Sequence, residues 1–152
     1  MVTQKTSIPV VLSKKRIFII KDNISKTDLI VKLVNCICDA LPTVDRQDVV
    51  NAVLKREQGI STTLDTGLSI PHARVEDLAA FEAAAAVLPN GITDEYGLQI
   101  KVMYLFLSPA GPAYFVQHLR MLANLAEKFN SSFIEALSAT QNEEDILKQI
   151  SF

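Results

Sequence analysis

The chain has few of the residues on which metal and redox chemistry depend. Among its 152 residues, only two are cysteines and two are histidines. Cys36 and Cys38 stand two positions apart in a predicted helix and point to opposite sides, so the pair fits neither a disulfide nor a metal site. Neither histidine has a cysteine or another histidine near it in sequence, which disfavours zinc. We therefore predict no metal and no cofactor.

The chain also lacks an excess of charge of one sign. Its 15 basic and 17 acidic residues are intermixed and give a net charge of −2, so no basic patch suggests nucleic acid or a membrane surface. The apolar run Val102–Leu107 is strand-sized, far short of the ~18–20 residues of a membrane-spanning helix. The run Ile8–Leu12 is too short for the core of a signal peptide. We expect a cytoplasmic protein that does not insert into a membrane.

No repeat, low-complexity stretch or internal linker divides the chain. With 49% hydrophobic residues, a chain of this length can bury a sufficient core without disulfides or a structural metal. We predict one domain over residues 1–152, in which residues 1–12 form a loosely ordered N-terminal segment.

Strand-like and helix-like segments alternate along the chain. The predicted strands are Arg16–Ile20, Ser61–Leu64, Gly67–Ile70, Ala83–Leu88 and Gly97–Leu107, with a helical turn over Glu76–Ala80. The predicted helices run from Ser25 to Leu41, from Thr43 or Asp45 to Gly59, from Pro112 to Phe129, from Ser132 to Ser138, and from Glu143 to Ile150. Such interleaving predicts an α/β fold with a layered sheet, which is mixed because the last two strands form a hairpin.

The two histidines carry the clearest sign of chemistry. His72 comes directly after a predicted strand that ends at Pro71, at the edge where α/β sheets bind ligands. His118 lies on the apolar stripe of the longest predicted helix, and Arg56 ends an earlier helix. Two imidazoles and a guanidinium are sufficient to hold a phosphoryl group on a histidine nitrogen. One ring attacks, its neighbour donates a hydrogen bond, and the guanidinium neutralises phosphate oxygens.

Each of these residues also has a purely structural explanation. A lone histidine on an apolar helical face, such as His118, is more often a hydrogen-bonded core residue than a functional one. Arg56 in the last turn of a helix is stabilised by the helix dipole, and Ser61 and Thr62 fit an ordinary turn. It is the spacing of the whole set that favours chemistry.

That spacing follows an ordered pattern. An Arg-Glu step ends a helix, a loop with serine and threonine follows, and then come glycine, a hydrophobic residue, a small residue and Ile-Pro-His. In this chain the three parts are Arg56-Glu57, Ser61-Thr62 and Gly67–His72. The second histidine precedes a leucine in the long helix, as His118-Leu119.

The pattern resembles the type-2 enzyme IIA domain of the bacterial phosphoenolpyruvate-dependent sugar phosphotransferase system. This is the mannitol/fructose family, which includes the nitrogen-regulatory IIA proteins. The likeness extends from about Ser13 to Ile150, and the order of elements agrees throughout. It implies a three-layer α/β/α sandwich with a mixed, roughly five-stranded sheet.

The resemblance also implies an activity. A domain of this family accepts a phosphoryl group from the histidine-containing phosphocarrier protein and passes it to an enzyme IIB, without a metal. By position, His72 is the phosphorylated nucleophile, His118 is the neighbour that orients it, and Arg56 balances phosphate charge. Thr62 and Ser61 are expected to bind phosphate through hydroxyl or backbone donors. The pattern specifies no sugar, since enzyme IIA does not contact sugar in this family, and no oligomeric state.

The chain departs from the family pattern in two places. Ile60, Thr63 and Asp65 stand where fructose-type and nitrogen-branch members have loop glycines. The link Pro109–Gln117 is longer and more aromatic than usual and is expected to border the docking surface. Two alternatives to a transport role therefore stay open. One is a nitrogen-branch regulatory protein whose phosphorylation state controls partner binding, and the other is an adaptor without phosphotransfer.

Overall fold

The computed structural model describes residues 8–59 and 62–151. Its strands are β1 (Val10–Val11), β2 (Ile17–Ile19), β3 (Leu68–Ser69), β4 (His72–Val75), β5 (Phe81–Thr93) and β6 (Gln99–Pro109). Its helices are α1 (Lys26–Cys38), α2 (Arg46–Gly59), α3 (Phe115–Lys128), α4 (Ser131–Ser138) and α5 (Glu143–Ile150). Short 3-10 turns cover Lys14–Arg16 and Pro112–Tyr114. In the described part of the chain, no helix is both long and apolar enough to cross a membrane.

The six strands form one mixed sheet around the long antiparallel pair β5–β6. Strands β1 and β2 run parallel to β5 along one edge. Strands β3 and β4 run parallel to β6 along the other edge, and His72 is paired in register with Phe106. The predicted mixed sheet is confirmed, with six strands where roughly five were expected.

The two faces of the sheet pack against different helices, which makes three layers. On β5, Ala84, Ala86 and Leu88 pack in one apolar core with α1 and α2. The alternating residues Ala83, Ala85 and Val87 pack in a second core with α3, α4 and α5. This is the two-residue period of a strand that is buried on both faces, and it confirms the predicted sandwich.

Side-chain caps fix where the first two helices begin. The Ser25 hydroxyl accepts a hydrogen bond from the Asp28 N–H at 3.0 Å, so α1 begins at the predicted cap. The Asp45 carboxylate accepts one from the Asp48 N–H at 3.1 Å, so α2 begins after Asp45 rather than after Thr43. These two helices cover the face of the sheet from which Arg56 reaches the site.

Three local predictions need correction. His72 does not follow the last strand of its segment but begins β4, because the chain resumes pairing with β6 after Pro71. The segment Glu76–Ala80 is a turn with Asp77 at a φ of 61°, not a helical turn, and β5 is far longer than the predicted Ala83–Leu88. Of the segment 1–12 that is predicted to be loosely ordered, residues 1–7 lie outside the described residues, and Val10–Val11 forms a strand that pairs with β5.

The apolar stripe of α3 also differs from the prediction. The helical period of the sequence places Phe115, His118, Leu119, Leu122, Leu125, Ala126 and Phe129 on this stripe. Phe115, Leu119 and Ala126 are instead exposed, and the buried side chains in and just after α3 are His118, Met121, Leu125 and Phe129. The first turn of α3 therefore presents apolar side chains to solvent beside a buried histidine.

Candidate functional site

His72 lies on the edge strand β4, and its ring has a fixed orientation. The ring stacks on Phe106 of the neighbouring strand, with centroids 5.4 Å apart and planes 11° from parallel. Its Nδ1 is 2.7 Å from the backbone oxygen of Ile70. Because a carbonyl oxygen only accepts, Nδ1 carries the proton and donates it. In the neutral ring, Nε2 therefore holds the free lone pair.

Arg56 reaches that lone pair from the last turn of α2. Its Nε donates to His72 Nε2 at 3.4 Å, in agreement with the tautomer that the Ile70 contact requires. Arg56 is exposed, whereas His72 is only 3% exposed. The exposed guanidinium of Arg56 therefore lies beside Nε2, where its positive charge can balance the charge of an incoming phosphoryl group.

The second histidine, His118, lies against the first. The centroids of the His72 and His118 rings are 5.3 Å apart, with planes tilted by 60°. His118 also contacts the Phe106 ring, at a centroid distance of 5.4 Å. Its Nδ1 is 2.6 Å from the hydroxyl oxygen of Ser108, at the end of β6. One aromatic ring thus supports both imidazoles.

Both imidazoles are held in the neutral form. Burial lowers the pKa of His72 by more than its hydrogen bond to Ile70 raises it, and the charge of Arg56 lowers that pKa further. Burial, followed by the proximity of His72, Arg74 and Arg56, lowers the pKa of His118 to about 4. A neutral ring is the state that can attack phosphorus or donate a hydrogen bond without a positive charge.

Thr62 lies beside the site, and its hydroxyl is bound within the protein. It donates to a carboxylate oxygen of Glu57, next to Arg56 on α2. The other oxygen of Glu57 forms an ion pair with Lys26 of α1 at 2.8 Å. The hydroxyl proton of Thr62 is therefore engaged with Glu57, and phosphate binding by Thr62 stays a prediction. Ser61, also predicted to bind phosphate, lies outside the described residues, as does Ile60.

A second arginine, Arg74, borders the histidine pair two residues after His72 on β4. Its guanidinium donates to the backbone oxygens of Ala110 and Gly111, each at 2.9 Å. It also lies over the ring of Phe115, 5.3 Å from the centroid. Arg74 thereby fastens the link that leads into α3, where Phe115, Val116 and Leu119 are about half exposed.

Four of these groups were not singled out from the sequence: the Ile70 carbonyl, Phe106, Arg74 and Ser108. For Arg74 the sequence does contain a signal. It stands two residues after His72, and residues two apart on a strand lie on the same face of the sheet. Ser108 is a polar residue at the end of the apolar run Val102–Leu107, which is a weak signal by itself. Backbone carbonyls and stacking partners leave no mark in a single sequence.

Acid should destabilise the protein through these rings. In the unfolded chain both histidines titrate near ~6.5, whereas in the folded chain both pKa values are lower. Below that pH the unfolded state binds protons that the folded state does not, so stability falls as pH drops from about 6.5 toward about 4. We expect melting temperatures to decrease from about pH 7 to about pH 5, and His118→Gln to weaken this decrease. An unchanged slope in His118→Gln would show that the ring titrates normally.

The fold that carries these residues is that of the IIA proteins of the sugar phosphotransferase system. The chain belongs to the family "Phosphoenolpyruvate-dependent sugar phosphotransferase system, EIIA 2", which it matches over residues 10–152. The resemblance inferred from the Arg56, His72 and His118 pattern is thereby confirmed. Membership implies a role in phosphotransfer.

Solved structures of the same fold come from two branches. The nitrogen regulatory protein IIA-Ntr of Neisseria meningitidis is 21% identical, with a TM-score of 0.77 over 91% of this chain and 94% of that chain. Enzyme IIA mannitol of Escherichia coli is 19% identical, with a TM-score of 0.73 over 93% of this chain and 99% of that chain. The same mannitol protein in complex with phosphorylated enzyme IIB is 18% identical, with a TM-score of 0.73 over 93% of this chain and 97% of that chain. No curated protein matches the chain in sequence.

Proposed function

We propose that this protein is a phosphocarrier of the sugar phosphotransferase system that holds a phosphoryl group on Nε2 of His72. It accepts the group from the histidine-containing phosphocarrier protein and donates it to an enzyme IIB, in the cytoplasm. The observation that carries the proposal is the fixed tautomer of His72. Its Nδ1 is bound to the Ile70 oxygen at 2.7 Å, and Arg56 faces Nε2 at 3.4 Å.

The proposed transfer is a displacement at phosphorus. The Nε2 lone pair of His72 attacks the phosphorus of the donor's phosphohistidine, and the donor P–N bond breaks as the new P–N bond forms. The electron pair of the broken bond stays on the donor imidazole. Such transition states are loose, so the protein contributes mainly position and charge. Arg56, which donates to Nε2 before transfer, releases that lone pair and donates to the phosphoryl oxygens instead, and His118 offers a ring N–H to one of them.

Onward transfer reverses these roles. A nucleophile of enzyme IIB attacks phosphorus, and His72 leaves as a neutral imidazole. The lowered pKa of His72 makes its ring a better leaving group than an ordinary imidazole. A IIB partner is supported by the mannitol IIA protein of the same fold, whose structure is a complex with phosphorylated IIB. The apolar first turn of α3, with Phe115 and Val116, is proposed to border the docking surface.

A regulatory protein of the nitrogen branch is the second candidate. The observation that favours it is the fold likeness to IIA-Ntr, at a TM-score of 0.77. Such a protein has the same phosphorylated histidine, but the charge on His72 controls which partner binds. An adaptor without phosphotransfer is less well supported, because His72, Arg56 and His118 meet in one site.

Incubation with phosphoenolpyruvate, enzyme I and the phosphocarrier protein tests the proposed function. We expect a phosphoryl label that is lost in acid and stable in base, as phosphohistidine is. Adding an enzyme IIB then distinguishes the branches, because rapid loss of label to IIB supports the carrier. A label that IIB does not remove, together with partner binding that depends on phosphorylation, would favour the regulatory protein. Absence of label would overturn both and leave the adaptor.

A further inference from the structure

Ser108 is a buried polar residue whose role is not explained by the fold. It follows the apolar residues Phe106 and Leu107 in β6, and none of its surface is exposed. Its hydroxyl oxygen is 2.6 Å from Nδ1 of His118, which is itself only 7% exposed. An apolar side chain would fit the pattern of this strand, so the presence of a hydroxyl at this position requires another explanation.

The direction of this hydrogen bond follows from whether the hydroxyl proton of Ser108 has an acceptor. Within residues 8–59 and 62–151, the only hydrogen-bond partner of the Ser108 side chain is His118 Nδ1. If Nδ1–H donated to the hydroxyl oxygen, the hydroxyl proton would be buried without an acceptor, which is costly. If the hydroxyl donates to Nδ1, its proton is satisfied, and the proton left for Nε2 belongs to a ring that is 7% exposed, whereas Ser108 has no exposed surface. The second arrangement is therefore favoured.

A neutral imidazole has one proton to place, so this bond determines its tautomer. When Nδ1 accepts, the proton of His118 must be on Nε2. Burial is the largest cause of the lowered pKa of His118. Because that pKa is about 4, the ring is neutral near pH 7, and only its two neutral tautomers compete. The fixed Nε2–H belongs to a ring whose centroid is 5.3 Å from that of His72.

We propose that Ser108 is a positioning residue that sets the Nε2–H tautomer of His118, so that this ring can donate to the phosphoryl group on His72. The role of the donor rests on the proposed function, whereas the tautomer does not. The two histidines thus have opposite tautomers. His72 is fixed by the Ile70 oxygen with Nδ1 protonated, and His118 is fixed by Ser108 with Nε2 protonated.

Nitrogen-15 NMR of the histidine rings tests the tautomer without any phosphotransfer. The chain has only two histidines, so the spectrum contains two rings, and His118→Gln assigns them. We expect His118 to be Nε2-protonated in the native protein and to become a mixture of tautomers in Ser108→Ala. Ser108→Thr, which keeps a hydroxyl, should restore the native pattern. A native ring protonated on Nδ1, or a spectrum unchanged in Ser108→Ala, would overturn the proposal.

Transfer kinetics then test the consequence. Ser108→Ala should slow phosphotransfer by about tenfold, less than the roughly 10²–10³-fold loss on removing an oxyanion donor, because some rings still adopt the donor tautomer. In a His118→Gln background, Ser108→Ala should have no further effect on the rate. Ser138→Ala, which removes a serine hydroxyl bonded to a backbone carbonyl in α4, is the matched control. A slower rate that persists in the His118→Gln background would indicate a general packing defect and contradict the proposal.

Discussion

His72→Gln is expected to abolish phosphorylation of the protein. Glutamine has a similar bulk and can pack on Phe106 as the imidazole does, but its side-chain nitrogen has no lone pair available to attack phosphorus. Incubation with phosphoenolpyruvate, enzyme I and the phosphocarrier protein should then give no label above background. Mass spectrometry of the native protein, handled in base, should place the phosphoryl group on the peptide that contains His72.

The matched control for this variant is His118→Gln, which changes the only other imidazole of the chain. It should still accept label, more slowly, because His118 assists the reaction and does not attack. Melting temperatures of both variants establish that each is folded. A label that persists in His72→Gln, or that survives acid, would place the phosphoryl group on another residue and refute the proposed function.

Much of the fold could be predicted because its signals are local and strong. Caps such as Ser25, and the hairpin of two apolar strands, are visible in the sequence, and they define helices and a mixed sheet. The start of β4 could not be seen, because Pro71 ends one pairing and only contact with β6 restores it at His72. Similarly, the alanines of β5 favour a helix by propensity, and burial between two helical layers overrides that preference.

The site was predictable in its charged and nucleophilic members and not in what orients them. The order of Arg56, His72 and His118 along the chain was sufficient to group them, and the structure brings all three together. The tautomer of each ring depends on an acceptor or donor from elsewhere. For His72 this is a backbone oxygen, and for His118 it is a serine on another element, which only the three-dimensional structure could reveal.

The loop that lacks the family's glycines forms a tight hairpin before β3. The Leu64 N–H donates to Leu68 O at 2.7 Å, and the Ile70 N–H donates to Thr62 O at 3.2 Å, so the loop bonds to itself. Asp65 lies exposed at the turn, and among residues 62–67 only Gly67 has a positive φ, 99°. Side chains at positions 63 and 65 are therefore compatible with a hydrogen-bonded hairpin that leads to His72.

Arg56→Gln is the second variant with a large expected effect. It removes the one guanidinium that contacts His72 Nε2 in the described part of the chain. Without that charge the transferring phosphoryl group loses a preorganised partner, and transfer should slow by roughly 10²–10³-fold. Arg56→Lys should fall between this variant and the native protein, because lysine offers a point charge where the planar guanidinium holds two oxygens. Rapid-quench measurement of both half-reactions gives these rates.

A variant of the neighbouring residue Lys55 separates the effect of a positive charge on α2 from the effect of its position at His72. Lys55 is also exposed and in the last turns of α2, so Lys55→Gln removes the same charge one residue away. It should leave the transfer rate near the native value, and neither variant should lower stability by more than the ~0.3–1 kcal/mol of a helix-end charge. If both variants slow transfer equally, the arginine acts only through the general field of the surface. If neither variant slows transfer, Arg56 only stabilises the end of its helix. The charge on the phosphoryl group must then be balanced by another residue such as Arg74.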